Sequence, residues 1–274
     1  HCSSCPTGRS PILFSNQANI ARIVVFLQSK ILKMPLFRKL RIFLWIFSCS
    51  IAWDLSDAYA QEVQNIRIDE RDSILVYYPN FQELDLACGK FVPSSKKILY
   101  CCAGAFTAKT LKYFSHSNIR CGHVCNGRFY EGSPEPICNG TFTFYNGKGH
   151  FAKVNVQDLK TAAANHGMGF CQVLIILNGQ IIYADEANQS FWMKRNYVFR
   201  ALCEKDGQLC IAESKEVVSY SSFVRFLKEY GFTNAIYLDM GGWSHAWYRN
   251  NDGKIVNTNA IPTRFATNWL LFKK

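Results

Sequence analysis

The chain has 274 residues, of which 49% are hydrophobic and 15% aromatic, and a formal net charge of +11. That composition excludes a disordered, collagen-like or fibrous chain and supplies enough apolar side chain for a packed core. The basic residues are scattered, with no dense Lys/Arg block and no nucleic-acid-binding motif, so the excess suits a solvated surface or an anionic partner and argues against nucleic acid.

Met34 is followed by the basic cluster Arg38, Lys39 and Arg41, an apolar run from Ile42 to Trp53, and the small-residue signal Ala58-Tyr59-Ala60. A basic start, about a dozen apolar residues and an A-x-A site predict a secretory signal peptide over 34–60, too short for a stable membrane span. An N-terminal core helix would alternate polar and apolar faces, whereas Ile42 to Phe47 is apolar all round. Residues 1–33 then read as translated upstream sequence or an unusually long leader, and 61–274 as a single domain. The expected protein is exported, periplasmic or secreted, with no membrane span after cleavage. A lipid anchor through Cys49 is disfavoured by its approach, Ile46-Phe47-Ser48. Residues 1–60 carry seven Lys or Arg and two Asp, so +5 of the +11 leaves with them and +6 remains.

In chain order, "NIRIDERDSILVYY" (65–78) reads as an opening hairpin with Glu70 to Asp72 near its turn, closed by Pro79. Thr107 can cap a short helix, Ala108 to Phe114. Three β-rich runs then fold back around Asn146-Gly147, Asn178-Gly179 and Asp206-Gly207, dipeptides that tolerate the positive φ of type I′ turns. Helices are predicted over Asp158 to His166, stopped by Gly167, and over Ser221 to Tyr230, stopped by Gly231, the second stacking Phe223, Phe226, Leu227 and Tyr230. Ala235 to Leu238 is a short strand that delivers Asp239, and "NWLLFKK" closes the chain as a last strand. Hairpins outnumber βαβ crossovers. The expectation is an α+β fold, mainly antiparallel β-hairpins in a curved sheet core with a few flanking helices.

Nine of the twelve cysteines lie in 61–274, an odd number, so oxidation after export leaves at least one free or paired between chains. The Asp206-Gly207 turn sets Cys203 opposite Cys210, and a cross-strand disulfide is within reach there. Cys121 and Cys125 with His123 between them invite a zinc reading, but no second pair of ligands follows at matching spacing. No metal site is expected from them.

Four elements, in this order, resemble the phosphodiester glycosidase domain family, which includes the mannose 6-phosphate uncovering enzyme and exported proteins of Bacteroides-like bacteria. Cys102-Ala103-Gly104-Ala105-Phe106 stands where the family has an Asn-Gly-x-Phe type element. Phe199-Arg200-Ala201-Leu202 stands where it places an arginine at the head of a strand. Leu238-Asp239-Met240-Gly241-Gly242-Trp243-Ser244 is similar to its Leu-Asp-Gly-Gly-Gly-Ser-Ser. Arg264-Phe265-Ala266-Thr267-Asn268-Trp269-Leu270 is similar to its closing Arg-x-x-x-Asn-x-Leu strand. The resemblance implies an exported hydrolase that removes a sugar from a sugar-1-phosphodiester. Ala103 in place of the family asparagine, Met240 in place of a glycine, and the departures Trp243 and His245 leave a second reading, a non-catalytic carbohydrate or cell-envelope glycan binding module on the same fold.

A phosphate monoester leaves readily from an anomeric carbon, so such a site needs one carboxylate and phosphate-holding cations rather than the matched acid pair of ordinary glycosidases. Asp239, at a strand end, is the candidate carboxylate; a buried Asp satisfied by backbone amides at a tight turn is the other reading. Arg200 and Arg264 suit phosphate because a guanidinium can offer two parallel charge-assisted hydrogen bonds. Gly241 and Gly242 let backbone N–H groups approach an anion or sugar, or simply make a turn. Gly104, Phe106, Trp243 and Asn268 are the remaining substrate-binding candidates, Trp243 and Trp247 by stacking on a sugar face or by filling the core. His123 is either a proton shuttle or a structural histidine between cysteines. Asp185-Glu186, after the strand Ile181 to Ala184, are further acid candidates or a solvated loop. No cofactor motif accompanies these residues, and a divalent cation is left open.

Overall fold

A computed structural model describes residues 64–89, 93–107, 119–182, 191–239, 245–258 and 267–274, the side chains of 191 and 192 excepted. The expected leader segments 1–33 and 34–60, the helix at 108–114 and the acidic pair 185–186 lie outside these residues. Val63–Lys274 is one compact unit. Among the described residues no helix is long and apolar enough to cross a membrane.

The unit is α+β, built on three antiparallel sheets. The first has the order β1 (Ile66–Arg71), β2 (Ile74–Pro79), β13 (Gln208–Ser214), β12 (Arg200–Lys205), β14 (Asn234–Tyr237), β10 (Leu174–Leu177), β11 (Gln180–Ile181). The second runs β16 (Ile255–Asn257), β15 (Ala246–Arg249), β4 (Ile98–Ala103), β17 (Asn268–Lys273), β3 (Glu83–Cys88). The third runs β6 (Arg128–Tyr130), β5 (His123–Cys125), β9 (Met168–Gln172), β7 (Gly140–Tyr145), β8 (Lys148–Lys153).

Turn chemistry fixes the hairpins. Asn146, Asn178 and Asp206 sit at φ 51°, 49° and 53°, and the glycines that follow at 72°, 74° and 74°. Both central residues of each turn are left-handed, which lets the turn twist match the strands. The pairs that close the turns are Tyr145↔Lys148, Leu177↔Gln180 and Lys205↔Gln208. The opening hairpin turns at Asp72-Ser73, between Arg71 and Ile74.

Helix α1 (Val156–Ala164) starts two residues before the predicted point, because the Asn155 side chain accepts from the Gln157 amide and caps it there. It also ends early, with Asn165 as C-cap and His166 at φ 53°. Helix α2 (Tyr220–Tyr230) is capped by Ser219, whose hydroxyl accepts from the Ser222 amide, and stops at left-handed Gly231. Its buried stripe is Phe223, Val224, Leu227 and Tyr230. Phe226, predicted in that stripe, is half-buried at its edge.

One apolar core draws Leu202, Ile211 and Ile236 from the first sheet, Leu86, Tyr100, Leu270 and Phe272 from the second, and Phe142 and Phe170 from the third. A second core packs α1 and α2 against the first and third sheets through Leu159, Phe223, Leu227, Val173 and Ala201. Cys203 and Cys210 are directly opposed, as their turn requires, yet both are free thiols. The expected disulfide is not formed in this structure. Each sulfur turns to a backbone carbonyl instead, Cys203 to Ala201 at 3.8 Å and Cys210 to Cys203 at 3.7 Å.

Candidate functional site

The strand β14 ends where two other segments cross it. Leu238 donates its N–H to the Arg200 carbonyl at 3.0 Å, which extends the β12 pairing by one residue and carries the chain to Asp239. The Asp239 amide donates to the Gly104 carbonyl at 2.7 Å, and its Oδ2 accepts from the Thr107 amide at 3.1 Å. Asp239 is 5% exposed. The stretch leaving β4 is held from below by Asn268, the first residue of β17. Asn268 Oδ1 accepts from the Ala105 N–H and its Nδ2 donates to the Ala105 carbonyl, both at 2.8 Å. A Cβ on Gly104 would lie 2.9 Å from Asn268 Oδ1 and 3.2 Å from Leu86 Cδ1, so glycine leaves room for the Asn268 amide to close on this stretch. The Thr107 and Thr267 hydroxyls meet at 3.3 Å beside them.

Arg200, at the head of β12, is fully buried, and register places Glu213 of β13 directly opposite. Its Nε donates to Glu213 Oε2 at 2.6 Å, Nη2 pairs with the same oxygen, and Nη2 also donates to Thr258 Oγ1 at 3.4 Å. Among the described residues, two atoms of this buried pair, Arg200 Nη1 and Glu213 Oε1, have no hydrogen-bond partner. Such orphans are scarce in folded proteins and call for an explanation by water, ion or ligand. Burial opposes the guanidinium charge, but Glu213 outweighs it and the Arg200 pKa is raised. The edge formed by Nε and Nη2 thus faces Glu213, and Nη1 is the donor left over. The two parallel bonds to phosphate expected of Arg200 are not available from that edge.

His245 was read from sequence only as a departure from small residues. Its carbonyl accepts from the Ala103 amide at 3.0 Å, and its ring sits edge-on to Trp269 at 5.7 Å. Burial, and after it the Arg200 charge, lowers its pKa below the usual histidine value. Tyr100 and Tyr237, both buried, have phenols pushed up by burial, Tyr237 also by Asp239. The Phe106 ring packs on Tyr237 at 5.7 Å, bringing that candidate to the same strand end.

The segments carrying Gly104, Phe106, Arg200, Asp239 and Asn268 therefore meet, although up to 164 positions separate them in sequence. Asn268 spends both ends of its amide on Ala105, so it positions backbone rather than offering a donor to a sugar. Gly241, Gly242, Trp243 and Arg264 lie outside the described residues. His123 belongs to the third sheet; its Nδ1 is 3.1 Å from the Cys121 carbonyl and its ring stacks on Tyr130 at 5.3 Å. Among the described residues no group of three or more His, Cys, Asp or Glu side chains is placed to hold a metal ion. Sequence reading missed Glu213 and Thr258, although the Asp206-Gly207 turn, counted six residues back from Asp206 and six forward from Gly207, already sets 200 opposite 213.

No family model matches the chain, and no curated protein matches it. Solved structures do. The zebrafish N-acetylglucosamine-1-phosphodiester alpha-N-acetylglucosaminidase catalytic domain, auto-inhibited by its pro-peptide, is similar at a TM-score of 0.53 and 14% identity, over 77% of this chain and 83% of that one. A hypothetical protein from Synechocystis aligns at a TM-score of 0.46 and 10% identity, over 77% of this chain and 62% of that one. The fold of this chain is distantly similar to that of this solved catalytic domain.

Proposed function

We propose that the protein is an exported hydrolase that releases a sugar from a sugar-1-phosphodiester or a phosphodiester-linked envelope glycan. The observation that carries this reading is the buried Arg200–Glu213 pair, left with one unpartnered donor and one unpartnered acceptor beside the strand end that presents Asp239. The distant fold likeness supports it. Arg200 Nη1 donates to a phosphate oxygen of the substrate. The bond from the anomeric carbon to the phosphate oxygen breaks with its electron pair staying on the phosphate, and water adds to the anomeric carbon. The proton lost by that water passes to the Asp239 carboxylate. The Thr107 N–H hydrogen bond holds the Asp239 carboxylate in its orientation.

A second reading, a non-catalytic glycan-binding module, is favoured by one detail: the Asn268 amide is wholly engaged by Ala105. Incubating the purified full chain with a sugar-1-phosphodiester and assaying free sugar separates the two. Release that falls by about 10²–10⁴ in Asp239→Asn, with the fold intact by circular dichroism, is the expected outcome. Binding with no release would support the module.

A further inference from the structure

Cysteine pairing outside the site carries unassigned chemistry. Cys88 ends β3 at the edge of the second sheet, opposite Asn268. Cys125 ends β5 in the third sheet. Their Sγ atoms are 3.1 Å apart, with the Cys88 thiol donating, about 1 Å more than a disulfide bond. That hydrogen bond draws the Cys125 pKa down and, with burial, pushes Cys88 up, so Cys125 carries the thiolate character of the pair. Cys88 is half-buried and is the sulfur a reagent meets first, whereas Cys125 is 3% exposed.

We propose that Cys88 and Cys125 are an oxidisable pair, closed to a disulfide by exchange with a small-molecule or protein disulfide. Cys88 releases its proton to solvent and attacks one sulfur of the oxidant, forming a mixed disulfide and expelling the first thiolate, which takes a proton from solvent. Cys125 then loses its proton and attacks the Cys88 sulfur, and the second oxidant half leaves as a thiol. Two protein thiols are oxidised and one external disulfide is reduced to two thiols, so electrons and protons balance.

The position gives the bond a consequence. Cys88 and Cys125 are 37 positions apart, and the loop they close contains Gly104 to Thr107, the stretch that holds Asp239. The residue after Cys88, Gly89, donates its N–H to the Thr267 carbonyl at 2.9 Å, next to the Asn268 clamp. The cross-link joins two sheets behind that clamp and restricts the unfolded chain. The alternatives are less well placed: Cys203 and Cys210 point to carbonyls, and Cys121 and Cys138 are both buried.

The test uses the reduced full chain, treated with oxidised glutathione, then alkylated with N-ethylmaleimide in denaturant and digested without reduction. Mass spectrometry is expected to find a Cys88–Cys125 linked peptide, 2 Da lighter than the two reduced peptides together, and dithiothreitol should abolish it. The thermal midpoint should rise on oxidation by on the order of 5–10 °C, and Cys88→Ser should lose that rise. Recovery of Cys88 and Cys125 both alkylated, glutathione retained on Cys88, or a linkage confined to Cys121–Cys138 overturns the proposal. The peptide map reads the wild-type chain and needs no catalytic activity, so its result stands apart from that of the sugar-release assay.

Discussion

The Arg200–Glu213 pair separates support of the fold from support of a ligand. Both side chains are fully buried, and removing one strands the charge of the other. Arg200→Ala is therefore expected to lower stability by about 3–5 kcal/mol in urea denaturation. Arg200→Met combined with Glu213→Leu replaces the charges with packed apolar groups and should recover most of that loss, because buried ion pairs rarely exceed such replacements in net stability. Calorimetry with a sugar-1-phosphate should nevertheless detect no binding to the double variant; binding as tight as wild type would assign the pair to folding alone. His245 provides a pH test of the same neighbourhood. Burial and the Arg200 charge both disfavour its imidazolium, so its folded pKa lies below the usual 6.5. Between those values the unfolded chain binds more protons than the folded one, so stability is fully present above pH 6.5 and falls as pH drops through the window beneath it. The thermal midpoint should decline less from pH 7.5 to 5.5 in His245→Gln than in wild type. A His245 imidazole titrating above 6.5 by NMR would contradict this.

Where local chemistry alone decides an element, the sequence was readable. Asn146-Gly147, Asn178-Gly179 and Asp206-Gly207 each supply two left-handed positions, so turn and register follow together. Gly231 stops α2 for the same reason, at φ 90°. The helix starts were less legible, because Asn155 and Ser219 act through side-chain hydrogen bonds that compete with equally plausible caps nearby. The elements β3 to β6, β15 and β16 were not resolved from sequence. Three of these, β5, β6 and β16, are only three residues long, too short to show a period, and β4 is buried on both faces and reads as a plain apolar run. For the site, Asp239 was legible because a strand visibly delivers it, and Gly104 because a glycine there meets a resemblance. Glu213 was legible in principle from hairpin register but lies in a strand whose other polar residues attract no notice. His245 and the Asn268–Ala105 clamp could not be foreseen, since they exist only once β15, β4 and β17 lie side by side.

How the three sheets share a core determines how the whole unit should unfold. Leu202 of β12 is fully buried among side chains from the second and third sheets, with Tyr100, Leu270, Phe142 and Phe170 in the same cluster. An apolar core common to all three sheets leaves none of them a complete interior of its own, so loosening one exposes the inner faces of the others. Leu202→Ala is expected to cost about 2–5 kcal/mol, the range for a buried leucine truncated in a packed core. If the sheets are one cooperative unit, the loss appears equally in probes that look elsewhere. Trp247 and Trp269 lie in the second sheet, on the side that packs with Ile98, Cys101 and Leu271 rather than against Leu202. In a background with Trp45, Trp53, Trp192 and Trp243 replaced by phenylalanine, tryptophan fluorescence and far-ultraviolet circular dichroism should therefore report the same urea midpoint, and the same lowered midpoint once Leu202→Ala is added. Were the fluorescence midpoint to stay put while the dichroism midpoint fell, the second sheet would be folding independently. The Asp239 crossing, which needs β4 and β17 from the second sheet and β12 and β14 from the first, would then form only after two separate folding events.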